Sequence, residues 1–184
     1  MNLKHLLSAI ALIPILSQAN CALTSGGTVD GNNFNGPTLC KGKATNSVAV
    51  NGPLKISNTK INTLAVHGPV TVLNSSIQQG AITGSLSGTN SNFGGLNMNG
   101  NIQLTGGSID ELTLMGSAQL NKVKVNNINA SGGGLLADGS SINLTNGTVV
   151  SGNITFIHGG EGVVVLSKDS KIFGVVSGGK IERQ

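Results

Sequence analysis

The strongest constraint on this chain is a glycine that returns every sixteen residues. Gly52, Gly68, Gly84, Gly100, Gly116 and Gly132 keep that interval without an insertion or deletion. Other columns keep step with it. Two residues before each glycine stand Val50, Val66, Ile82, Met98, Leu114 and Ala130, and two after stand Leu54, Val70, Leu86, Ile102, Ala118 and Gly134. Four before stand Val48, Leu64, Gly80, Leu96, Leu112 and Ile128, and four after stand Ile56, Val72, Gly88, Leu104, Leu120 and Leu136. Nine after come Ile61, Ile77, Phe93, Ile109, Val125 and Ser141, the last beside Ile142. Six after come Asn58, Asn74, Asn90, Gly106, Lys122 and Asp138.

Apolar residues two apart send alternate side chains to one side of a short strand. The repeating glycine has the parity of its apolar neighbours, so it reads as an inward position where the backbone bends or approaches closely. The Asn/Gly/Asp column (Asn58, Asn74, Asn90, Gly106, Asp138) reads as a turn, because those residues tolerate left-handed backbone angles; Lys122 is its exception, with Asn121 beside it. Stacking such units aligns every column and gives each strand a partner above and below. The pattern predicts an all-β parallel β-solenoid with coils of about 16 residues, spaced about 4.8 Å apart. Aligned asparagines are expected to hydrogen-bond along the turn column.

Composition bears on the rivals. With 28 glycines among 184 residues, 2% aromatics, and no Trp or Tyr, the chain lacks the aromatic girdles of an outer-membrane barrel. A β-sandwich has short alternating strands, but gives no reason for one column to recur at a fixed interval. Long helices are disfavoured by the scattered Gly, Asn, Ser and Thr.

Residues 1–19 read as a secretory signal peptide. Lys4 is followed by an apolar run from Leu6 to Leu16 and the small residues Ser17 and Ala19. A cut after Ala22 is an alternative. That run is shorter than the roughly 18 residues needed to span a bilayer, and Gln18 and Asn20 before Cys21 depart from a lipoprotein signal. Export permits Cys21 to pair with Cys40; the alternative is two unpaired thiols. Residues 20–47 are expected to cap the stack, residues 48–142 to form its regular coils, and residues 143–184 to form irregular coils or a second cap. Val66-His67-Gly68-Pro69-Val70-Thr71-Val72 and its copies between Val48 and Ile142 resemble bactofilin-type and other parallel β-solenoid repeats. The resemblance implies stacked coils. Bactofilins polymerise inside the cell, whereas this chain opens on an export signal.

The outward positions flanking the glycines form one flat, neutral face of small side chains in this reading: Ala49, Asn51, Pro53 and Lys55, then Ala65, His67, Pro69 and Thr71, and so on to Gln119. Such a face suits lateral packing or weak polyvalent contact. No residue is singled out as catalytic, cofactor-binding or metal-ligating. Asp110-Glu111 is the one adjacent acidic pair, and neighbours on a strand point to opposite faces. His67 and His158 lie far apart with no third ligand at metal spacing. No nucleophile elbow or phosphate loop occurs. The turn column has too little Asp for calcium-binding nonapeptides. The net charge of +4 comes from dispersed lysines without stacking aromatics, which argues against nucleic acid and is compatible with an anionic envelope or host surface. The asparagine sequons at Asn74, Asn143, Asn146 and Asn153 carry meaning only in a host that glycosylates. The sequence thus predicts a secreted, periplasmic or cell-surface protein, structural or adhesive rather than enzymatic, with no cofactor. Its expected partners are itself, an envelope or matrix, or a host surface; a polysaccharide- or ligand-binding module is the alternative, and a polysaccharide-acting enzyme the remote one.

Overall fold

The computed structural model describes residues 20–42, 44–131, 140–157 and 162–184. The signal peptide expected over residues 1–19, together with Gly132, Gly134, Leu136, Asp138 and His158, lies outside the described residues. In chain order the strands are β1 (Asn20–Leu23), β2 (Thr28–Asp30), β3 (Asn33–Asn35), β4 (Thr38–Lys41), β5 (Thr45–Asn51) and β6 (Leu54–Ser57). There follow β7 (Lys60–His67), β8 (Val70–Leu73), β9 (Ser76–Thr83), β10 (Leu86–Asn121), β11 (Lys124–Ser131) and β12 (Ser141–Thr145). The last are β13 (Val149–Val150), β14 (Ile154–Ile157), β15 (Gly162–Leu166), β16 (Lys171–Ile172), β17 (Val176–Ser177) and β18 (Gly179–Arg183).

The chain is a parallel β-solenoid. From β3 onward each strand pairs in parallel with the strand one coil further along. Phe34 pairs with Val50, Cys40 with Ile56, Val48 with Leu64, and Val66 with Ile82, each sixteen residues apart. The interval therefore begins one coil earlier than the columns traced from Val48: Gly36-Pro37 stands sixteen residues before Gly52-Pro53, and Phe34, Thr38 and Cys40 fill the inward columns.

Each coil bends three times. The first bend is the repeating glycine. Gly52, Gly68, Gly84, Gly100 and Gly116 have φ between 138 and 144°, are half-buried, and stack on one another at a corner. This corrects their reading as inward core positions: the corner lies between two inward-facing runs and preserves their parity. A Cβ on Gly68 would stand 2.5 Å from the Gly52 carbonyl oxygen. The ladder nevertheless passes through the corner, the Gly52, Gly68 and Gly84 N–H groups donating to the carbonyls of His67, Thr83 and Asn99 at 2.9 Å.

The second bend is the turn column. Asn58, Asn74, Asn90, Gly106 and Lys122 all have positive φ, from 47 to 71°. Lys122 itself takes the left-handed conformation (55°), a position where an L side chain costs about 1–2 kcal/mol. The side-chain ladder belongs to the next column rather than to the asparagines. The Thr59 N–H donates to Ser75 Oγ (3.1 Å) and the Ser75 N–H to Ser91 Oγ (3.3 Å), while the two serine hydroxyls donate to the carbonyls of Leu73 and Thr89. Thr59, Ser75 and Ser91 are buried, and the bonding satisfies a backbone amide under a turn where the coil-to-coil ladder is interrupted.

At the third bend two consecutive residues face outward, as at Asn62-Thr63 and Gln78-Gln79. Asp110-Glu111 occupies this bend, so both residues are exposed. The strict in–out alternation of a straight strand, which would turn one of the two inward, is interrupted here.

The core is the set of inward ladders, among them Ile56, Ile61, Leu64, Ile77, Phe93, Leu96, Ile109 and Leu112. Gly80 and Gly88 interrupt two of these ladders, and the side chains of Leu96 and Leu104 from the next coil lean into the space. That staggering keeps the interior filled where a column loses its side chain.

At the N-terminal end β1 lies antiparallel on β4 and β2 antiparallel on β3. Cys21 and Cys40 are opposite one another in this pairing, with Cα atoms 4.0 Å apart, and are disulfide-bonded. Cys40 also sits in a core column, so the bond ties the covering strand to the interior.

Beyond Ser131 the interval changes. Ala118 pairs with Ile142, twenty-four residues on; Val125 with Val150, twenty-five on; and Ile128 with Ile154, twenty-six on. The next coil has an interval of twenty-two, as Ile142 pairs with Val164 and Ile154 with Val176. The last has seventeen, Val164 with Ile181. Ile142 thus continues the column of Ala118, whereas the unbroken interval places Ser141, with Ile142 beside it, in the column of Val125. Among the described residues, one additional residue falls at each of the second and third bends: Ile142 and Val150 stand eight apart where Ala118 and Val125 stand seven apart, and Val150 and Ile154 four apart where Val125 and Ile128 stand three apart.

Candidate functional site

The glycine corner divides the outward residues between two sides of the coil, which corrects their reading as a single face. One side carries the positions three and one before the glycine. Its first column is Ala49, Ala65, Ala81, Asn97, Thr113 and Asn129; its second is Asn51, His67, Thr83, Asn99, Met115 and Ser131. Strands β5, β7, β9, β10 and β11 hold these columns in parallel register, since each side chain is fixed by the inward neighbours on either side of it.

Among the described residues these two columns hold no acidic or basic side chain apart from the His67 imidazole. A shallow apolar trough runs along it. Ala65 and Ala81 form its floor, and His67, Thr83, Asn97, Asn99 and Met115 line it. Met115 is 44% exposed, the most prominent apolar group on the side. The trough exists because alanine precedes asparagine and threonine in the first column: the small residues lower the surface over two coils.

Charge is found elsewhere. Lys60, Lys124, Asp110 and Glu111 stand beside or on the third bend, and Glu111 Oε1 accepts a hydrogen bond from Asn127 Nδ2 at 2.7 Å. Lys122 projects from the turn column. Near it in the last coils, the Ser167 hydroxyl donates to Asp169 Oδ1 at 2.6 Å. That bond holds the Asp169 carboxyl below its usual range, with smaller contributions from backbone amides and from the charge of Lys122.

The sequence-derived positions are thus distributed by role. Cys21 and Cys40 join the covering strand to the core, the glycines make the first corner, and Asn58, Asn74, Asn90 and Gly106 make the second. None of these lines the trough. Its residues belong to outward positions that the sequence identified as exposed but did not separate from the neighbouring side. The buried hydroxyl column was missed because Thr59, Ser75 and Ser91 are followed there by Gly107 and Val123, which hides the repeat.

Among the described residues no three His, Cys, Asp or Glu side chains come together as a metal-binding group, and no helix is long and apolar enough to cross a membrane. No protein-family model, curated protein or solved structure matches the chain.

Proposed function

We propose that the protein is an exported, non-enzymatic structural or adhesive element that uses its neutral side to contact an extended envelope, matrix or host surface. The observation that carries this reading is the uncharged side running from Ala49 to Ser131 on a rigid stack of coils. Polyvalent contact needs many weak, equally spaced groups held without entropy loss on binding, and parallel strands about 4.8 Å apart supply that. The low charge makes such contact insensitive to ionic strength.

A second reading, a polysaccharide-binding module, is favoured by the trough over Ala65 and Ala81, whose polar rim of Thr83, Asn97 and Asn99 offers donors and acceptors. One experiment separates the two. Retention of the disulfide-bonded protein is measured on intact cells, on extracellular matrix and on a glycan array, beside a Thr83→Arg/Asn99→Arg variant. Salt-insensitive retention on cells or matrix that the variant loses supports adhesion. Saturable binding to one glycan class supports the module. Absence of retention on all three surfaces removes both.

A further inference from the structure

The two ends of the stack differ. At the first, β1 and β2 cover the opening coil in antiparallel fashion and a disulfide holds β1 in place. At the other, β18 is paired with β15 along one edge and, among the described residues, with no strand along its other edge. The direction of its backbone groups is fixed by two bonds: the Gln184 N–H donates to the Leu166 carbonyl, and the Gly178 carbonyl accepts from the Gly162 N–H. In a strand, alternate residues turn their N–H and C=O to alternate neighbours. Gly179, Ile181 and Arg183 therefore turn theirs to the free edge.

The side chains follow from the same register. Ile181 continues the buried column of Val164 yet is 40% exposed, since no strand among the described residues covers it. Lys180 and Glu182 point outward, opposite the half-buried Val163 and Val165, and make an ion pair of 3.1 Å within the strand. Phe173 and Val175, in the same last coil, are 71% and 67% exposed.

We propose that the β18 edge pairs with the β18 edge of a second copy, antiparallel, about a twofold axis through Ile181. The segment Gly179-Lys180-Ile181-Glu182-Arg183 is complementary to its own reverse. In this register Ile181 meets Ile181 of the second copy, and Gly179 leaves room for the long Arg183. Lys180 falls opposite Glu182 twice by symmetry. The three residues with free backbone groups form the hydrogen-bonded positions. Lys180 and Glu182 occupy the non-hydrogen-bonded ones, where cross-strand side chains approach most closely. Charges on an edge strand ordinarily prevent pairing; here their order removes the repulsion for a reversed copy. The contact is isologous and closes as a dimer, and the covered N-terminal end stops growth into a filament. The inference goes beyond the adhesive reading and does not rest on it, because pairing at this end leaves the neutral side open.

The test is sedimentation velocity of the disulfide-bonded protein over a concentration series at low salt. A reversible monomer–dimer equilibrium is expected, with nothing larger. Lys180→Glu and Glu182→Lys each place like charges opposite one another twice, and each weakens the dimer about tenfold. An equimolar mixture of the two variants regains it as a heterodimer, and the double exchange Lys180→Glu/Glu182→Lys dimerises like the parent. Ile181→Pro, checked for retained β-structure by circular dichroism, abolishes it by removing a free-edge N–H. A monomer at every concentration, a dimer indifferent to the single substitutions, or open-ended growth would each overturn the proposal. Loss of surface retention with the dimer intact would remove the adhesive reading alone.

Discussion

From Asn33 to Ser131 the chain advances sixteen residues per coil, whereas from Ser140 to Arg183 successive intervals differ. Both regions stack the same columns. Val125 is followed by Val150 and Ile172, Ile128 by Ile154 and Val176, and Leu120 by Leu144 and Leu166. The left-handed position of Lys122 passes to Asn146, and the buried hydroxyl reappears as Thr148 and Ser170. The Val123 N–H donates to Thr148 Oγ1, and the Thr148 N–H to Ser170 Oγ. What a coil must match is the chemistry of each column where it meets the neighbour. Chain length between columns is free wherever a bend can project a loop, because the cost of closing a longer loop rises only slowly.

The two regions should therefore respond differently to the same substitution, and the largest contrast lies at the corners. Gly68→Ala places a Cβ 2.5 Å from the Gly52 carbonyl oxygen at φ 144°. Backbone cannot yield there without shifting the stack, so a loss of about 3 kcal/mol or more is expected. Gly147→Ala, at φ 78° in an outer turn with open space around it, should cost about 1 kcal/mol. Urea denaturation followed by circular dichroism measures both. Equal losses would mean that the regular coils relax as easily as the looped ones.

The hydroxyl column gives the next effect. Ser75→Ala leaves the Thr59 N–H without its acceptor under a buried turn, for an expected loss of about 2 kcal/mol. Thr148→Ala should cost about as much, since its hydroxyl serves the Val123 amide and donates to backbone carbonyls in turn. If Thr148→Ala is silent while Ser75→Ala is not, the column is decorative in the looped coils, and the equivalence of the two regions fails.

These columns also show how far the sequence could be read. The sixteen-residue beat established strands, stacking and the turn column because each coil repeats its constraints without slack. The disulfide was legible from Cys21, Cys40 and the expectation of export. Gly36-Pro37 stood in plain register with Gly52-Pro53, but near two cysteines and other glycines it read as a cap. The corner role of the glycine was hidden by parity, since a residue between two inward neighbours reads as inward when the backbone is assumed straight. For the same reason Ala49 and Pro53 read as one face, though the corner turns them onto different sides. After Ser131 the interval breaks at the bends. No fixed spacing marks the columns there, although Asn146 and Thr148 carry the same column chemistry. The trough could not be read at all, because it depends on which outward columns share a side.

Lys122 offers a gain rather than a loss. It is the last left-handed residue before the interval breaks, and its predecessors in the column are Asn58, Asn74, Asn90 and Gly106. Lys122→Gly relieves the strain and should stabilise by about 1 kcal/mol. The denaturation midpoint should rise at constant slope. A fall would mean that the lysine contributes more through its charge near Asp169 than its backbone costs.

The smallest expected effect concerns that carboxylate. The Ser167 hydroxyl holds the Asp169 carboxyl below its usual range, with backbone amides and Lys122 adding to the effect. A group whose folded pKa is depressed stabilises the fold at pH above its unfolded value, and that contribution disappears as pH falls through the folded value. The unfolded value lies near 3.9, so the parent protein should lose this contribution only below about pH 4. Asp169→Asn should sit slightly below the parent at neutral pH and converge with it under acid. Because the carboxylate is exposed and salt screens it, the gap should narrow in high salt. It should also narrow in the Lys122→Gly background, since the two groups interact. A gap that persists unchanged at low pH would place the effect in the turn geometry around Ser167 and Ser170 rather than in the charge. In that case the looped coils, like the regular ones, would be held at this bend by hydroxyl and backbone bonds alone.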